Sequence, residues 1–547
     1  MRIAFASGRV VPVVPDGRVF DAIVVDGDRI SAVGAAFDVA AGTDLRVVGL
    51  GGRTLLPGFV DAHDHLAFTG AELAQVDVRS PGVSSIHELV GRIAEAAERT
   101  PDGSVIRAVG MNDRAYPDGR LPTRWDLDEA TRVHPVFVTH ISGHHVLANS
   151  VALEQRGVSD ATGDPPGGHL ERDERGRLTG YAFDAAQQLL LPGGVEIGHH
   201  GPGFHDDAPL DEVVGDIERA CAAYVAAGVT SICDAQVTRR ELDGYREARR
   251  RGSLSVRVTA MPISSQQEDY AALGIAGRIG DARLAIGPMK FYADGALTGG
   301  TAAFTRPYGS DSQYPGSLYW ESDKAFREAV VRAHESGWQV GIHAQGDRGI
   351  DRALDALDAA QAALPRTDAR HRIEHCGGPR PDQVERMARL GVWAIGQPRY
   401  FWDAGDDWLR AFDEERAGRL QPYREFAAAG VAFAISTDAP VASYRPVDTL
   451  ASAALRHTVG GATVGPDQAL TIVEAVRAYT LDAARSFFVD DLVGSLEPGK
   501  LADLVVLDGD PARTPPDRLP ELRVLLTLMG GEPVYDPLGL LGARPGG

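Results

Sequence analysis

Cysteine is scarce in this sequence. The 547 residues include three, Cys221, Cys233 and Cys376, and none forms a C-x-x-C pair. That excludes a disulfide framework and fits a reducing compartment. Long apolar runs are missing too: no stretch reaches the ~18 residues of a membrane-spanning helix. Met1 to Val10 lacks the basic-then-apolar run of a secretory leader. A cytoplasmic protein with no membrane partner is therefore expected. Positive charge is also in deficit. The formal net charge is −21, which argues against nucleic acid or an anionic membrane as partner. Lysine is the rarest basic residue, with only Lys290, Lys324 and Lys500 among 55 lysines and arginines. Each lysine therefore raises the question of why arginine would not serve in its place. What remains is ordinary globular material, 44% hydrophobic and 24% charged. The length allows two to four domains or one large α/β barrel with additions.

Both ends of the chain read as short β segments. Ile23-Val24-Val25 runs into Asp26-Gly27-Asp28-Arg29, a hairpin signal, and Leu504-Val505-Val506-Leu507 ends at Asp508-Gly509-Asp510. Chain termini often lie close together, so residues 1–55 and 494–547 are expected to form one composite β domain. Between them, strands alternate with helical stretches. The strand candidates are Leu55–Val60, Val229–Cys233, Val256–Met261, Met289–Tyr292, Gln339–Ile342, Arg372–Glu374, Val392–Gly396 and Val431–Ser436. Asp323–Glu335 and Arg380–Leu390 read as helices between them. Eight strands in βα alternation predict a parallel barrel over 56–493. The gap after the first strand predicts an insertion of about 70–215 over one barrel mouth, too long for an unstructured loop.

Polar residues gather where those apolar strands stop. The first is followed by Asp61-Ala62-His63-Asp64-His65, and Lys290 follows Met289. His343, His375 and Asp438 close later strands. In a parallel barrel these ends face one mouth, so positions hundreds of residues apart can converge. Imidazole and carboxylate suit a divalent metal such as zinc, and two histidines at i, i+2 on an extended segment point to the same side. A single His-x-His is more often incidental, and Asp438 before Ala439-Pro440 could be a turn residue. Four histidines and an aspartate, each at a strand end, weaken that bland account together. Lys290 could be a strand-end lysine reaching solvent, but arginine fills that role elsewhere in the chain. A buried amine of lowered pKa could instead add carbon dioxide, as a guanidinium cannot. The resulting carbamate is an anionic ligand able to bridge two cations.

Leu55-Leu56-Pro57-Gly58-Phe59-Val60-Asp61-Ala62-His63-Asp64-His65 resembles the opening motif of the amidohydrolase superfamily. The whole chain resembles amidohydrolase family 3, the group that includes N-substituted formamide deformylases. Further matches are Met289–Gly295, Ile342–Asp347, Arg372-Ile373-Glu374-His375, Ser436–Pro440 and Gly494–Leu504, with Gly143-His144 and Asn149 in the insertion. The resemblance implies a distorted (β/α)8 TIM barrel, a composite β-sandwich and a metal-dependent hydrolase. By position, His63, His65 and Asp438 would hold one divalent metal, expected to be Zn2+. His343 and His375 would hold a second, with Lys290 as the bridging carbamate, and a mononuclear site remains an alternative. Asp438 would act as general base and then acid, and His144 would steady the oxyanion. Asn149, Asp294 and Gln397 are candidates for substrate contact. Two positions depart from the family's pattern, Gly110-Met111-Asn112-Asp113 and Asp184, and both are expected to shape the pocket.

The expected reaction is hydrolysis of a C–N bond in a small amide or formamide by a metal-activated hydroxide. An esterase, lactonase or cyclic-amide hydrolase at the same metals is the rival. A non-catalytic binding protein on the scaffold is a third reading, and the full ligand set counts against it. Family resemblance also implies a homodimer. Gly494 to Lys500 mimics a phosphate loop, but Leu501 stands where Ser or Thr must ligate magnesium.

Overall fold

The computed structural model describes residues 2–35, 45–79, 82–112, 116–140, 145–165, 168–191, 198–201, 208–308 and 315–542. The chain divides into two compact units, one of residues 1–69, 198–201 and 213–547, the other of 70–197 and 202–212.

In the first unit, both ends of the chain contribute to one eight-stranded sheet. Its order is Glu532–Tyr535, Val524–Met529, Leu504–Leu507, Thr54–Pro57, Arg2–Val10, Phe20–Asp26 and Arg29–Gly34, with Leu45–Gly49 beside Arg2–Val10. The Asp26-Gly27-Asp28-Arg29 hairpin is present, with Asp26 opposite Arg29 and Gly27 at φ +62°. Ile3, Phe5, Ile23, Leu55, Leu504 and Leu526 form the core under this sheet.

The reading of Leu55–Val60 as one strand is corrected. Thr54–Pro57 pairs antiparallel with Leu504–Leu507, whereas Phe59–Asp64 pairs parallel with Val229–Val237. The chain changes sheets at Pro57-Gly58. Proline has no N–H to continue a ladder. Gly58 packs so closely that a Cβ there would lie 2.3 Å from the Thr230 hydroxyl.

The rest of this unit has the α/β, TIM-barrel-like pattern of parallel strands separated by helices. One sheet runs Phe59–Asp64, Val229–Val237, Arg257–Pro262 and Leu284–Ile286 in parallel, with the short Ile279–Gly280 antiparallel at its edge. The other runs Met289–Tyr292, Val340–Ala344, Arg372–His375, Trp393–Gly396 and Phe433–Ile435, all parallel. Val229–Val237 is buried along its whole length, as expected for a parallel strand covered on both faces. The two sheets part at Gly287-Pro288, again where proline interrupts the ladder. A single parallel bridge, Ile263 to Lys290, crosses that break. At the other edge, Asp438 N–H donates to the His63 carbonyl at 2.9 Å.

Helices begin where the sequence supplies caps. Ser322 accepts from Ala325 N–H at the start of Asp323–Glu335, and Pro occupies the first turn of Pro381–Leu390, which Gly391 ends at φ +63°. Among the described residues, no helix is long and apolar enough to cross a membrane.

The second unit is built on its own six-stranded sheet, ordered Gly168–Arg172, Leu178–Asp184, His145–Ala148, Val136–His140, Ile106–Met111 and Val76–Asp77. The helix Ile86–Ala97 is capped by Ser85 and buries Ile86, Leu89, Ile93 and Ala96. They pack with Ile106, Val136, Val138 and Leu147 in a separate core.

Candidate metal centre

The ends of the parallel strands bring together a group of buried donors. His63 closes Phe59–Asp64, Lys290 lies within Met289–Tyr292, His343 within Val340–Ala344, and His375 ends Arg372–His375. Asp438 follows Phe433–Ile435, and all these side chains, with His65, are buried. Ring centroids lie 4.8 Å apart for His63 and His375 and 4.5 Å for His343 and His375. The Lys290 Nζ is 3.3 Å from His63 Nε2 and 4.7 Å from the Tyr292 ring centroid. His63, His65 and Asp438 form a trio whose ligand atoms lie within 4.8 Å of one another.

Hydrogen bonding sets the tautomer of every ring. His63 Nδ1 faces Glu374 Oε2 at 2.6 Å, and His65 Nδ1 faces the Ala235 carbonyl at 2.9 Å. His343 Nε2 faces the Gly295 carbonyl at 2.9 Å. His375 Nδ1 faces Gln397 Oε1 at 2.8 Å. The orientation of Gln397 follows from its other end: its Nε2 donates to Ser436 Oγ, whose own hydroxyl donates to the Gly396 carbonyl. Each acceptor is an oxygen, so each facing nitrogen carries the proton. The lone pairs then sit on His63 Nε2, His65 Nε2, His343 Nδ1 and His375 Nε2. Second-partner bonds of this kind orient metal-ligating histidines.

Asp438 supplies the complementary atom. Its Oδ2 accepts from Tyr400 OH. Its Oδ1 lies 3.0 Å from His65 Nε2 and 3.4 Å from His63 Nε2, yet it is buried and makes no hydrogen bond. An unpartnered buried carboxylate oxygen facing two imidazole lone pairs is unfavourable alone. A shared divalent cation resolves it, so the donor set fits a metal.

The electrostatics keep the ligands in their binding forms. Burial, reinforced by Lys290, pulls His63 down to about 4, and burial takes His375 to about 3 and His343 well below its ordinary value. Burial also lowers Lys290 to about 8, within reach of the neutral amine. Burial opposes ionisation of Asp438, but the His65 contact and the fields of His63 and His375 outweigh it and hold the carboxyl far below the usual range.

The remaining expected site residues are placed differently. Asn149 belongs to the second unit, where it caps the helix Ser150–Gln155. Its Oδ1 accepts from Val136 and Ala152 N–H, and its Nδ2 donates to the Thr131 and His134 carbonyls. These bonds tie Asn149 to the backbone on either side of it. Asp294 accepts from the backbone N–H groups of Gln345, Ala303 and Gly346 at 2.8–2.9 Å, and burial still lifts its pKa to about 7. Asp294 and Gln397 thus organise the loops around His343 and His375. His144 lies outside the described residues.

Several residues here escaped the sequence reading. Asp61 accepts from Thr437 Oγ1 and Tyr479 OH, both at 2.7 Å, and so ties the His63 strand to the segment bearing Asp438. Tyr400 and Glu374 touch the ligands directly. The available signal for Glu374 was its opposite charge to Arg372 at i, i+2, which places both on one face of a buried strand.

Comparison with known proteins finds relatives over nearly the full chain. Residues 46–535 match the model of the amidohydrolase family. The chain is 31% identical over 537 residues to the N-substituted formamide deformylase of Arthrobacter pascens, covering 95% of each. It is 30% identical over 530 residues to the protein Long After Far-Red 3 of Arabidopsis thaliana, covering 94% of this chain and 88% of that one. Among solved structures, an uncharacterized metal-dependent hydrolase from Pyrococcus horikoshii OT3 has a TM-score of 0.76 at 26% identity, over 94% of this chain and 99% of that one.

Proposed function

Because this chain belongs to the amidohydrolase family of metal-dependent hydrolases acting on carbon–nitrogen bonds, we propose that it cleaves the amide bond of a small molecule, with N-substituted formamides as the substrate class. The formamide assignment draws on the relative from Arthrobacter pascens. The observation that carries the reading is Asp438 Oδ1, buried without a hydrogen bond and facing His63 and His65.

We further infer that the two parallel sheets form one distorted (β/α)8 barrel, in which Leu284–Ile286 and Met289–Tyr292 are halves of an interrupted fourth strand. The composite β-sandwich of the two chain ends adjoins it. His63, His65 and Asp438 would hold one zinc ion, and His343 and His375 a second. Lys290, as the N6-carboxylated form, would link them. A divalent cation bound there acidifies a water towards neutral pH and polarises a carbonyl oxygen. The chain's own part in the reaction is proton traffic and orientation. Asp438, held ionised by the neighbouring imidazoles, accepts the proton of the attacking water and returns it to the departing nitrogen. Tyr400 keeps Oδ2 fixed, so the carboxylate cannot swing away from His65. Gln397 and Asp294 hold the rims from which His375 and His343 project.

The test is metal analysis of the purified protein coupled to turnover of formamides, other small amides and lactones, with released formate measured directly. Bound zinc-type metal together with formate release is expected. No bound metal, and no turnover after metal is added, would overturn the proposal.

A further inference from the structure

The strand Arg372–His375 carries an ion pair in the deep interior. Arg372 and Glu374 are both 0% exposed. Arg372 Nε donates to Glu374 Oε1 and Nη2 to Oε2, each at 2.8 Å. The sequence makes room for the pair. A Cβ on Gly341 would lie 2.6 Å from Glu374 Oε1 and 2.5 Å from the Met261 methyl, and the small Cys233 takes an Arg372 N–H at 3.6 Å. Withdrawing two charges from water is strongly unfavourable, and apolar residues of similar volume usually stabilise an interior at least as well. Packing therefore does not explain the pair, whereas its two outward contacts do. Glu374 Oε2 accepts from His63 Nδ1 at 2.6 Å, and Arg372 Nη2 donates to the Ala62 carbonyl at 2.6 Å. The pair grips the His63 ring and the backbone next to it at once.

We propose that Arg372 and Glu374 act as positioning residues for the metal centre, a clamp that fixes the plane and Nδ1–H tautomer of His63 so that Nε2 is presented to a cation shared with His65 and Asp438. This rests on the metal-centre reading above. The other three imidazoles are oriented by neutral oxygens, from Ala235, Gly295 and Gln397. Of the four, His63 is the one whose ring N–H meets a carboxylate at hydrogen-bond distance, whereas the Asp294 carboxylate lies 3.9 Å from His343 Nε2. A hydrogen-bonded carboxylate makes the imidazole a stronger donor towards a metal. Arg372 holds that carboxylate in place, so the ring cannot rotate without breaking a two-point ion pair.

The test compares three metal-free proteins: wild type, Glu374→Gln, and the double variant Arg372→Met/Glu374→Leu. Zinc affinity is read by competition with a chromophoric chelator, and thermal melting is recorded without metal. Glu374→Gln leaves the Arg372 charge buried without its counter-ion, so it is expected to melt below wild type and to bind zinc about 10–100-fold more weakly. The double variant, which removes both charges and keeps the volume, is expected to melt no lower than wild type and to bind zinc at least as weakly as Glu374→Gln. Zinc affinity within about twofold of wild type in both variants would overturn the clamp. So would a double variant that melts lower yet binds zinc normally, because the pair would then be structural. Failure of wild type to bind zinc would instead remove the metal-centre reading beneath the proposal, and the wild-type titration alone identifies that case.

Discussion

Two groups of buried histidines occupy opposite ends of the same parallel strand, Val340–Ala344. Near its start, His334 and His371 form a closed relay. Val340 N–H donates to His371 Nδ1 at 3.0 Å, so His371 carries its proton on Nε2 and donates to His334 Nδ1 at 2.8 Å. His334 Nε2–H then donates to the Leu364 carbonyl at 2.6 Å. Every ring nitrogen has a partner, and no lone pair is left for a ligand. At the strand's other end, His63, His65, His343 and His375 are equally buried, but each has one nitrogen pinned by an oxygen and one lone pair turned towards the cluster. Burial lowers the pKa of His334 and His371 as it does those of His63, His343 and His375. What separates a structural histidine from a ligand here is the bookkeeping of lone pairs, not depth or pKa.

That contrast orders the expected effects. Asp438→Ala removes the base and a ligand, and turnover is expected to fall by about 10²–10⁴-fold while the circular dichroism spectrum is retained. Lys290→Arg keeps the positive charge but cannot form a carbamate. Turnover should drop by roughly a hundredfold, and a carbamate carbon signal from ¹³C-bicarbonate should appear in wild type and be absent from the variant. His371→Phe breaks the relay and leaves the buried Val340 N–H without its acceptor. It is expected to cost about 1–3 kcal/mol of stability at unchanged metal content, whereas His375→Ala should lower metal content instead. A His371→Phe protein that lost metal would erase the distinction between the two groups.

The smallest effect is in pH. Burial, with His334 and Arg366 facing it, pulls His371 down to about 3, against roughly 6.5 for an exposed imidazole. Between those values the unfolded chain takes up a proton that the folded chain refuses. The contribution of His371 is therefore complete above about pH 6.5 and declines as the pH falls below it, by about 1.4 kcal/mol per pH unit. Urea unfolding of wild type and His371→Gln at pH 7.5, 6.5 and 5.5 should differ in slope by about one proton. Parallel slopes would remove His371 from the acid sensitivity.

The gathering of His63, His343, His375 and Asp438 could be read from the amino-acid order because each stands at or beside the end of an apolar strand, and a parallel sheet gathers such ends on one side. The helix read at Asp323–Glu335 occurs with those bounds, and the one read at Arg380–Leu390 begins one residue later, at Pro381. Other features depend on contacts that the linear order does not carry. His63 and Glu374 are 311 residues apart, and nothing local to either announces the bond. Asn149 and Asp294 stand out in the sequence only as polar residues within a motif. Only coordinates show their hydrogen-bonding atoms occupied by backbone. The division of Leu55–Val60 was obscured because both halves are apolar, and the partner that captures the first half, Leu504–Leu507, lies near the other end of the chain.

The break at Gly287-Pro288 has a dynamic corollary. A strand stitched to one neighbour through a lone rung opens at less expense than one zipped along its length. Its amides should therefore exchange with heavy water ahead of those in Arg372–His375, which is laddered on both sides. Lys290 sits on that rung, so opening of this edge would loosen the backbone that carries the buried amine.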